Sequence, residues 1–292
     1  MATQTLTFVK VGEEYVAAFE TTADFALHLE RPEAGSLTLG VSSVKDGDFA
    51  RVENLSSRVR YQTVFDYDFL GGIYPKYIRV ASETAPTMAV VTSEGEITPI
   101  KIKSDVIPLG VSIQHINGYA YTTEEWTEEG FSNDLANGVI VATEEHKFVI
   151  AKSSFPNNMY WSSVGNVLIE GILAATDKNE ALSDYSGKEN TALMLNYDTS
   201  RAGYSCANFT FPNGNKGYLP ALGELEIAYQ NRDAIDAALV LVGSNAIDRQ
   251  TGLWSSTQRA YNSAWYRPWG NGVGPTYDSK VNAYQVRPFT TL

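Results

Sequence analysis

Trp254-Ser-Ser-Thr-Gln-Arg-Ala-Tyr-Asn-Ser-Ala-Trp-Tyr-Arg-Pro-Trp269 runs on through Gly270-Asn-Gly-Val-Gly-Pro-Thr-Tyr-Asp-Ser-Lys280 to Val286-Arg-Pro-Phe289, and the rest of the chain reads as its support. The segment is rich in Tyr, Trp, Asn, Ser, Gly and Arg, and carries very little Leu, Ile or Val. Rigid aromatics supply contact area at low entropic cost, and small polar residues supply adaptable hydrogen bonds. That is the make-up of a recognition surface rather than a core. The glycine-rich run 270–275 permits tight reversals and excludes a regular helix, so the segment reads as strands joined by long loops.

Working back from it, residues 168–243 take a helical period. Leu222, Leu225 and Tyr229 recur at helical spacing, as do Ile235, Leu239 and Val242, and Thr191-Ala-Leu-Met-Leu-Asn196 reads as a short helix or helix end. Asp233 or Asn231 suits the cap of the second long helix, and Gly243 suits its end. Before them, Leu109-Gly-Val-Ser-Ile113, Gly138-Val-Ile-Val-Ala142 and Lys147-Phe-Val-Ile-Ala151 read as strands. The acidic stretch Thr122-Thr-Glu-Glu-Trp-Thr-Glu-Glu-Gly130 between the first two reads as an exposed loop with solvated carboxylates. A helical middle followed by a loop-rich β end indicates α+β.

From Leu6 to about Ile100 the pattern is short, alternating, β-branched and aromatic. Tyr15-Val-Ala-Ala-Phe19, Phe25-Ala-Leu-His-Leu29, Ser36-Leu-Thr-Leu-Gly-Val41, Val59-Arg-Tyr-Gln-Thr-Val-Phe65, Tyr77-Ile-Arg-Val80 and Met88-Ala-Val-Val-Thr92 each read as a strand. Turn signals separate them, among them Lys45-Asp-Gly-Asp48 and Gly71-Gly72. The expected architecture is an antiparallel, sandwich-like β-domain over residues 1–103, serving attachment or assembly. An α+β ligand-binding domain follows over 104–292.

Composition narrows the function. The chain has 292 residues and 43% hydrophobic content, enough to bury a core. Its 22 Lys and Arg against 34 Asp and Glu give a formal charge of -12 and no basic stripe, which argues against nucleic acid and against an anionic membrane surface. No apolar run approaches a membrane span, and the N-terminal residues carry no visible signal peptide. The lone cysteine, Cys206, rules out an intrachain disulfide and reads as a small buried residue. His28, His115 and His146 lack companions at metal spacing, and Asp46-Gly-Asp48 and Asp66-Tyr-Asp68 lack the spacing of a calcium loop. Neither a nucleophile elbow nor a phosphate loop nor a dinucleotide fingerprint is present, and nothing singles out a carboxylate pair. The expectation is a non-enzyme with no cofactor and no metal.

The motif order Gly187-Lys-Glu-Asn-Thr-Ala-Leu193, Tyr204-Ser-Cys206, Phe211-Pro-Asn-Gly214, Gly217-Tyr-Leu-Pro-Ala-Leu-Gly-Glu-Leu225, Trp254-Ser-Ser-Thr257, Ala264-Trp265 and Val286-Arg-Pro288 resembles the C-type-lectin-fold variable proteins of diversity-generating retroelements. Those proteins occur in Bacteroides-type gut bacteria and their phages, and share the fold of the formylglycine-generating-enzyme superfamily. The resemblance covers about residues 105–292. It implies two helices, a small twisted antiparallel sheet and a ligand surface on the last loops and strands. Tyr261, Asn262, Ser263, Tyr266, Arg267, Trp269, Asn271, Thr276, Tyr277, Asp278 and Ser279 fall at its ligand-contact positions, with Trp254, Ser255, Ser256, Trp265, Arg287 and Pro288 as framework. Of the tryptophans, Trp254 and Trp265 are expected inside and Trp269 at the surface. The formylglycine-generating activity itself needs paired cysteine chemistry, which a single cysteine cannot supply.

The expected function is receptor binding by a phage-tail or cell-surface adhesin, with a surface protein or a glycan as ligand. A structural tail or baseplate module and a divergent enzyme of this fold stay open as alternatives. A homo-oligomer such as a trimer, which would gain avidity from several weak sites, and assembly with other virion or surface proteins are the partner states implied.

Overall fold

The computed structural model describes residues 1–42, 50–55, 58–65, 76–100, 102–197, 201–270 and 272–292. Asp46, Asp48, Asp66, Asp68, Gly71, Gly72 and the candidate contact Asn271 lie outside the described residues. The chain is mixed α+β and divides into two compact units, Met1–Val106 and Ile107–Leu292.

The first unit contains strands β1 (Ala2–Thr5), β2 (Val9–Val11), β3 (Glu14–Thr21), β4 (Phe25–Glu30), β5 (Leu37–Ser42), β6 (Ala50–Asn54), β7 (Arg60–Phe65), β8 (Lys76–Ser82), β9 (Met88–Ser93) and β10 (Ile97–Ile100). They form two antiparallel sheets, β1-β9-β4-β7 and β10-β3-β8-β5-β6, with β2 paired to β3. Alternation drives the arrangement: Phe25, Leu27 and Leu29 are buried while Ala26, His28 and Glu30 between them are half-buried. Phe25, Leu27, Leu29 and Val91 from one sheet share a single core with Phe19, Leu39, Ile78 and Val80 from the other. Burying each such large side chain contributes about 1.5–3 kcal/mol. Arg31 is a polar exception inside this unit. Its guanidinium is 2% exposed and donates to the carbonyls of Gly35, Ser36 and Arg58 at 2.9, 3.0 and 2.6 Å.

The second unit begins with β11 (Gly110–His115), β12 (Ala120–Tyr121), α1 (Thr123–Glu129), β13 (Ala136–Ala142), β14 (Lys147–Ala151) and β15 (Met159–Tyr160). Helices α2 (Lys178–Leu182), α3 (Gly187–Met194), α4 (Arg201–Asn208), α5 (Leu222–Gln230) and α6 (Arg232–Leu241) follow. The chain closes with β16 (Gly252–Ala260), β17 (Ser263–Pro268), β18 (Thr276–Ser279), β19 (Ala283–Tyr284) and β20 (Phe289–Thr290). The main sheet runs β12-β11-β13-β14-β20, so strands near the two ends of the unit share it. β13 is buried at every position because alternate residues enter two cores. Val139 and Val141 pack with Leu225, Ile235 and Leu239 of α5 and α6, whereas Ile140 and Ala142 pack with Phe211.

The acidic stretch expected as a loop is helix α1, which corrects the sequence reading. Thr122 and Glu125 form a capping box: the Thr122 hydroxyl accepts the Glu125 N–H at 3.2 Å, and the Glu125 carboxylate accepts the Thr122 N–H at 2.9 Å. Trp126, buried, anchors the helix against Phe131 at 5.0 Å, and Gly130 ends it at φ 65°. His115 packs into the same aromatic group, 4.9 Å from Phe131, as a structural residue. At the start of α6, Asn231 occupies the cap position, but its side-chain amide donates back to the Ile227 carbonyl at 2.9 Å.

β16 is unusual in burying four consecutive polar side chains, Ser255, Ser256, Thr257 and Gln258, each at 0% exposure. All are satisfied. Ser255 donates to the Trp265 carbonyl at 2.7 Å, and Ser256 accepts from Asn190 at 3.1 Å. Thr257 donates to the Asp184 carboxylate at 2.7 Å and accepts the Leu222 N–H at 2.9 Å. Gln258 donates to the Ile169 and Ile172 carbonyls at 2.7 and 3.0 Å and accepts from Lys280 at 3.1 Å. Lys280 is itself fully buried, donates to the Val167 carbonyl at 2.6 Å and lies 4.3 Å from the Trp161 ring centre.

Thr257→Val takes the acceptor from the buried Leu222 N–H and removes one of three hydrogen bonds to the Asp184 carboxylate, which keeps Asn190 and the Ser186 N–H. The unmet N–H costs roughly 1–3 kcal/mol, read as a lower urea midpoint. The buried Lys280 generates a pH dependence. Burial lowers its pKa to about 7, below the unfolded value of about 10.4, so the folded state holds fewer protons between them and stability rises with pH across that window. In a urea series from pH 7 to about 9.5, Lys280→Met is expected to flatten that rise.

Candidate functional site

Strand alternation sorts the aromatic segment into two faces. Trp265 and Arg267 of β17, with Trp269 just beyond, turn toward α5. Trp265 is 4% exposed and packs with Leu222, and its indole donates to the Ala175 carbonyl at 2.8 Å. The Arg267 guanidinium sits 3.3 Å over the Tyr229 ring and pairs with Glu226 at 2.7 Å. Trp269, at 0% exposure, meets Tyr229 edge-on at 5.8 Å. Arg267 and Trp269 therefore clamp the end of the sheet to a helix instead of facing a ligand. Ser263, 7% exposed, is also inside. These are corrections to the expected contact set. All three tryptophans of the segment are core, so none contributes to an exposed face.

The opposite face holds Tyr266, half-buried, stacked on Tyr284 with ring centres 4.1 Å apart and planes 24° from parallel. Trp254 meets both rings edge-on, at 5.7 and 4.9 Å, and its indole donates to the Met159 carbonyl at 2.9 Å. The Tyr284 hydroxyl donates to the Asp278 carboxylate at 2.6 Å, bringing a second expected contact to this face. Burial alone would raise the Asp278 pKa, but hydrogen bonds from Tyr284, Asn282 and the Ser279 backbone hold it below the ordinary value. Burial and the bond to Asp278 push the Tyr284 hydroxyl up, so it stays a donor.

The tyrosine pair borders a cavity of about 280 Å³ lined also by Asn158, Arg249, Thr251 and Val273. Arg249 donates to Asp233 and Asp236 at 2.6 and 2.8 Å, and those hydrogen bonds raise its pKa. Its charge is thus fixed and largely compensated at the cleft. Such an arrangement borders the cleft with two aromatic rings, an amide and a hydroxyl. It suits a ligand that presents an apolar ring face with polar edges. Tyr284, Asn158 and Arg249 were not among the sequence candidates. Tyr284 reaches the site through the pairing of β15 with β19, which joins residues far apart in sequence, and no local pattern marks Asn158.

The remaining candidates lie elsewhere. Tyr261 and Asn262 are exposed at the turn between β16 and β17. Tyr277, 45% exposed, packs edge-on to Trp265 at 5.4 Å, with the Arg259 guanidinium 3.8 Å from its ring centre. Thr276 and Ser279 are half-buried on β18. The expected contacts do not form one patch.

The framework residues Trp254, Ser255, Ser256, Trp265, Arg287 and Pro288 are all buried. The helix-start motif has an internal cause as well. Glu224 accepts the Ala221 N–H at 2.7 Å and the Tyr218 hydroxyl at 2.8 Å, and burial raises its pKa to about 7. Gly187 is required beside it, because a Cβ there would lie 2.2 Å from Glu224 Oε2. Both oxygens of this carboxyl are engaged, Oε2 in capping α5 and Oε1 on the Tyr218 hydroxyl. Among the described residues, no group of three or more His, Cys, Asp or Glu is placed to hold a metal. No helix among them is long and apolar enough to cross a membrane.

No protein-family model matches the chain, and no curated protein matches it. Among solved structures, it is similar to the crystal structure of a fimbrial protein from Bacteroides ovatus, with 12% identity and a TM-score of 0.47 over 98% of this chain and 75% of that one.

Proposed function

We propose that the chain is a non-enzymatic binding protein whose C-terminal unit is a C-type-lectin-like domain taking a surface glycan in the Tyr266–Tyr284 cleft. The observation that carries this reading is the stacked tyrosine pair bordering a cavity with Asn158 and Thr251 on its walls. Sugar rings present an apolar C–H face and a hydroxyl rim, which match an aromatic wall and its polar neighbours. The motif order, and the placing of β11 and β20 in one sheet, support the lectin-like assignment. In this reading the two-sheet N-terminal unit attaches the chain to a virion tail or to a cell surface. A structural module is the second reading. It draws on Tyr261 and Tyr277, whose 56% and 45% exposure offers apolar surface to neighbouring subunits.

Screening the full chain against an array of glycans tests the proposal. Tyr284→Ala and Tyr266→Ala should each weaken the bound glycan by about tenfold or more, or about 1.4 kcal/mol. Tyr261→Ala and Tyr277→Ala should leave it unchanged. Trp269→Ala should instead lower stability by about 3–5 kcal/mol, as loss of a buried aromatic does. Full binding by Tyr284→Ala, or loss of binding confined to Tyr261→Ala and Tyr277→Ala, would remove the cleft from the mechanism.

A further inference from the structure

Arg287 is 4% exposed, yet its guanidinium makes little use of its donors. Nη1 donates to the Ala151 carbonyl at 3.2 Å, and the buried Nε meets no acceptor. Guanidinium carries five N–H groups, and a buried charge is ordinarily paired and fully hydrogen-bonded. The acid that acts on it, Asp236, is already engaged by the Arg249 guanidinium at 2.8 Å and the Ile247 N–H at 3.0 Å. Burial consequently lowers the Arg287 pKa to about 10, with Asp236 offsetting part of the shift. The side chain remains a cation at neutral pH, with unspent capacity for an anion.

Arg287 lines a cavity of about 340 Å³. Ser153, Ser154, Asn245 and Gln285 line it too, supplying hydroxyls that donate and accept and amides that do both. Asp248 is on the same wall, with one carboxylate oxygen taken by the Gln250 N–H at 2.9 Å. A single cation sharing the cavity with a carboxylate disfavours a dianion such as phosphate, since the second charge would meet Asp248. It favours a monoanion, and a planar carboxylate matches the guanidinium fork. The uncommitted hydroxyls and amides, together with Asp248, then call for a ligand bearing several hydroxyl groups of its own.

We infer that the cavity at Arg287 is a binding site for an acidic monosaccharide, with the sugar carboxylate on the guanidinium and its hydroxyls on Ser153, Ser154, Asn245, Gln285 and Asp248. The site is separate from the tyrosine cleft and does not depend on it. The two cavities do share chain segments: Pro156 and Asn158, Asp248 and Arg249, and Gln285 and Tyr284 put near neighbours into one and the other.

Titration calorimetry of the full chain tests this with glucuronate and N-acetylneuraminate as probes, and with glucose, acetate and inorganic phosphate beside them. At least one acidic sugar should bind, and glucose and acetate should each bind at least tenfold more weakly. Arg287→Gln should abolish that binding. Because Arg287 is buried and its loss can disturb folding, Ala246→Trp is the second variant. Ala246 is an exposed residue on the cavity wall, and the indole should fill the cavity and abolish binding without a change in melting temperature. Tyr266→Ala should leave binding intact, which separates this site from the cleft. Absence of binding by both acidic sugars, equal binding of acetate or phosphate, or full binding by a folded Ala246→Trp variant would overturn the inference.

Discussion

The buried polar edge of β16 is the constraint on which the C-terminal unit depends. Ser255, Ser256, Thr257 and Gln258 sit where a strand would ordinarily bury Val or Ile, and each reaches a different segment: β17, α3, the turn at Asp184 with the start of α5, and the irregular stretch 169–172. Much of the chain between β15 and α5 has no sheet to satisfy its backbone, and buried N–H and C=O groups left unmet are costly. Gln258 serves both the N–H and the carbonyl of Ile169, and its own carbonyl accepts the Ala175 N–H at 3.0 Å. The Ser256 N–H meets the Pro220 carbonyl at 2.8 Å, just ahead of α5. Side chains here do what ladder hydrogen bonds do elsewhere. The Trp-Ser-Ser-Thr motif is legible as framework for that reason.

Buried charge follows the same economy. Arg31, Lys280 and Arg287 are basic side chains buried inside a chain of net charge -12, and they direct their donors chiefly to backbone carbonyls. A carbonyl partner avoids the second desolvation that a buried carboxylate would add, but compensates the charge less completely. Arg31 and Lys280 gather two or more acceptors each. Arg287 gathers one, and that difference separates a structural cation from a recognition group.

How far the molecule could be read from its sequence varied with the range of the interactions involved. The alternation of Phe25, Leu27 and Leu29 is a local pattern, and the strands of the first unit follow from it. The spacing of Leu222, Leu225, Ile235 and Leu239 likewise announces α5 and α6. Helix α1 was also announced, by Thr122 three residues before Glu125 and by Gly130 at its end, but its acidic charge masked the capping box. In the site, composition suggested recognition and missed geometry. Period-two alternation from Trp265 already places Arg267 and Trp269 on the tryptophan's side, against α5. Tyr284, Asn158 and the Arg287 cavity arise from segments more than a hundred residues apart, and no local pattern reports such a meeting.

The two faces of β17 carry a consequence for how this chain can change over generations. Positions 265, 267 and 269 are locked by Leu222, Glu226 and Tyr229, whereas Tyr266 and its cross-strand partner Thr276 are only half-buried. Heritable variation is therefore rationed by the pleat: the half-buried pair Tyr266 and Thr276 has more room to change than the side chains held against α5, while Ala264, at 0% exposure, is held by the core on its own face. A lineage exploring new partners through this strand would begin at Tyr266 and Thr276, keeping its fold while its outward chemistry was rewritten.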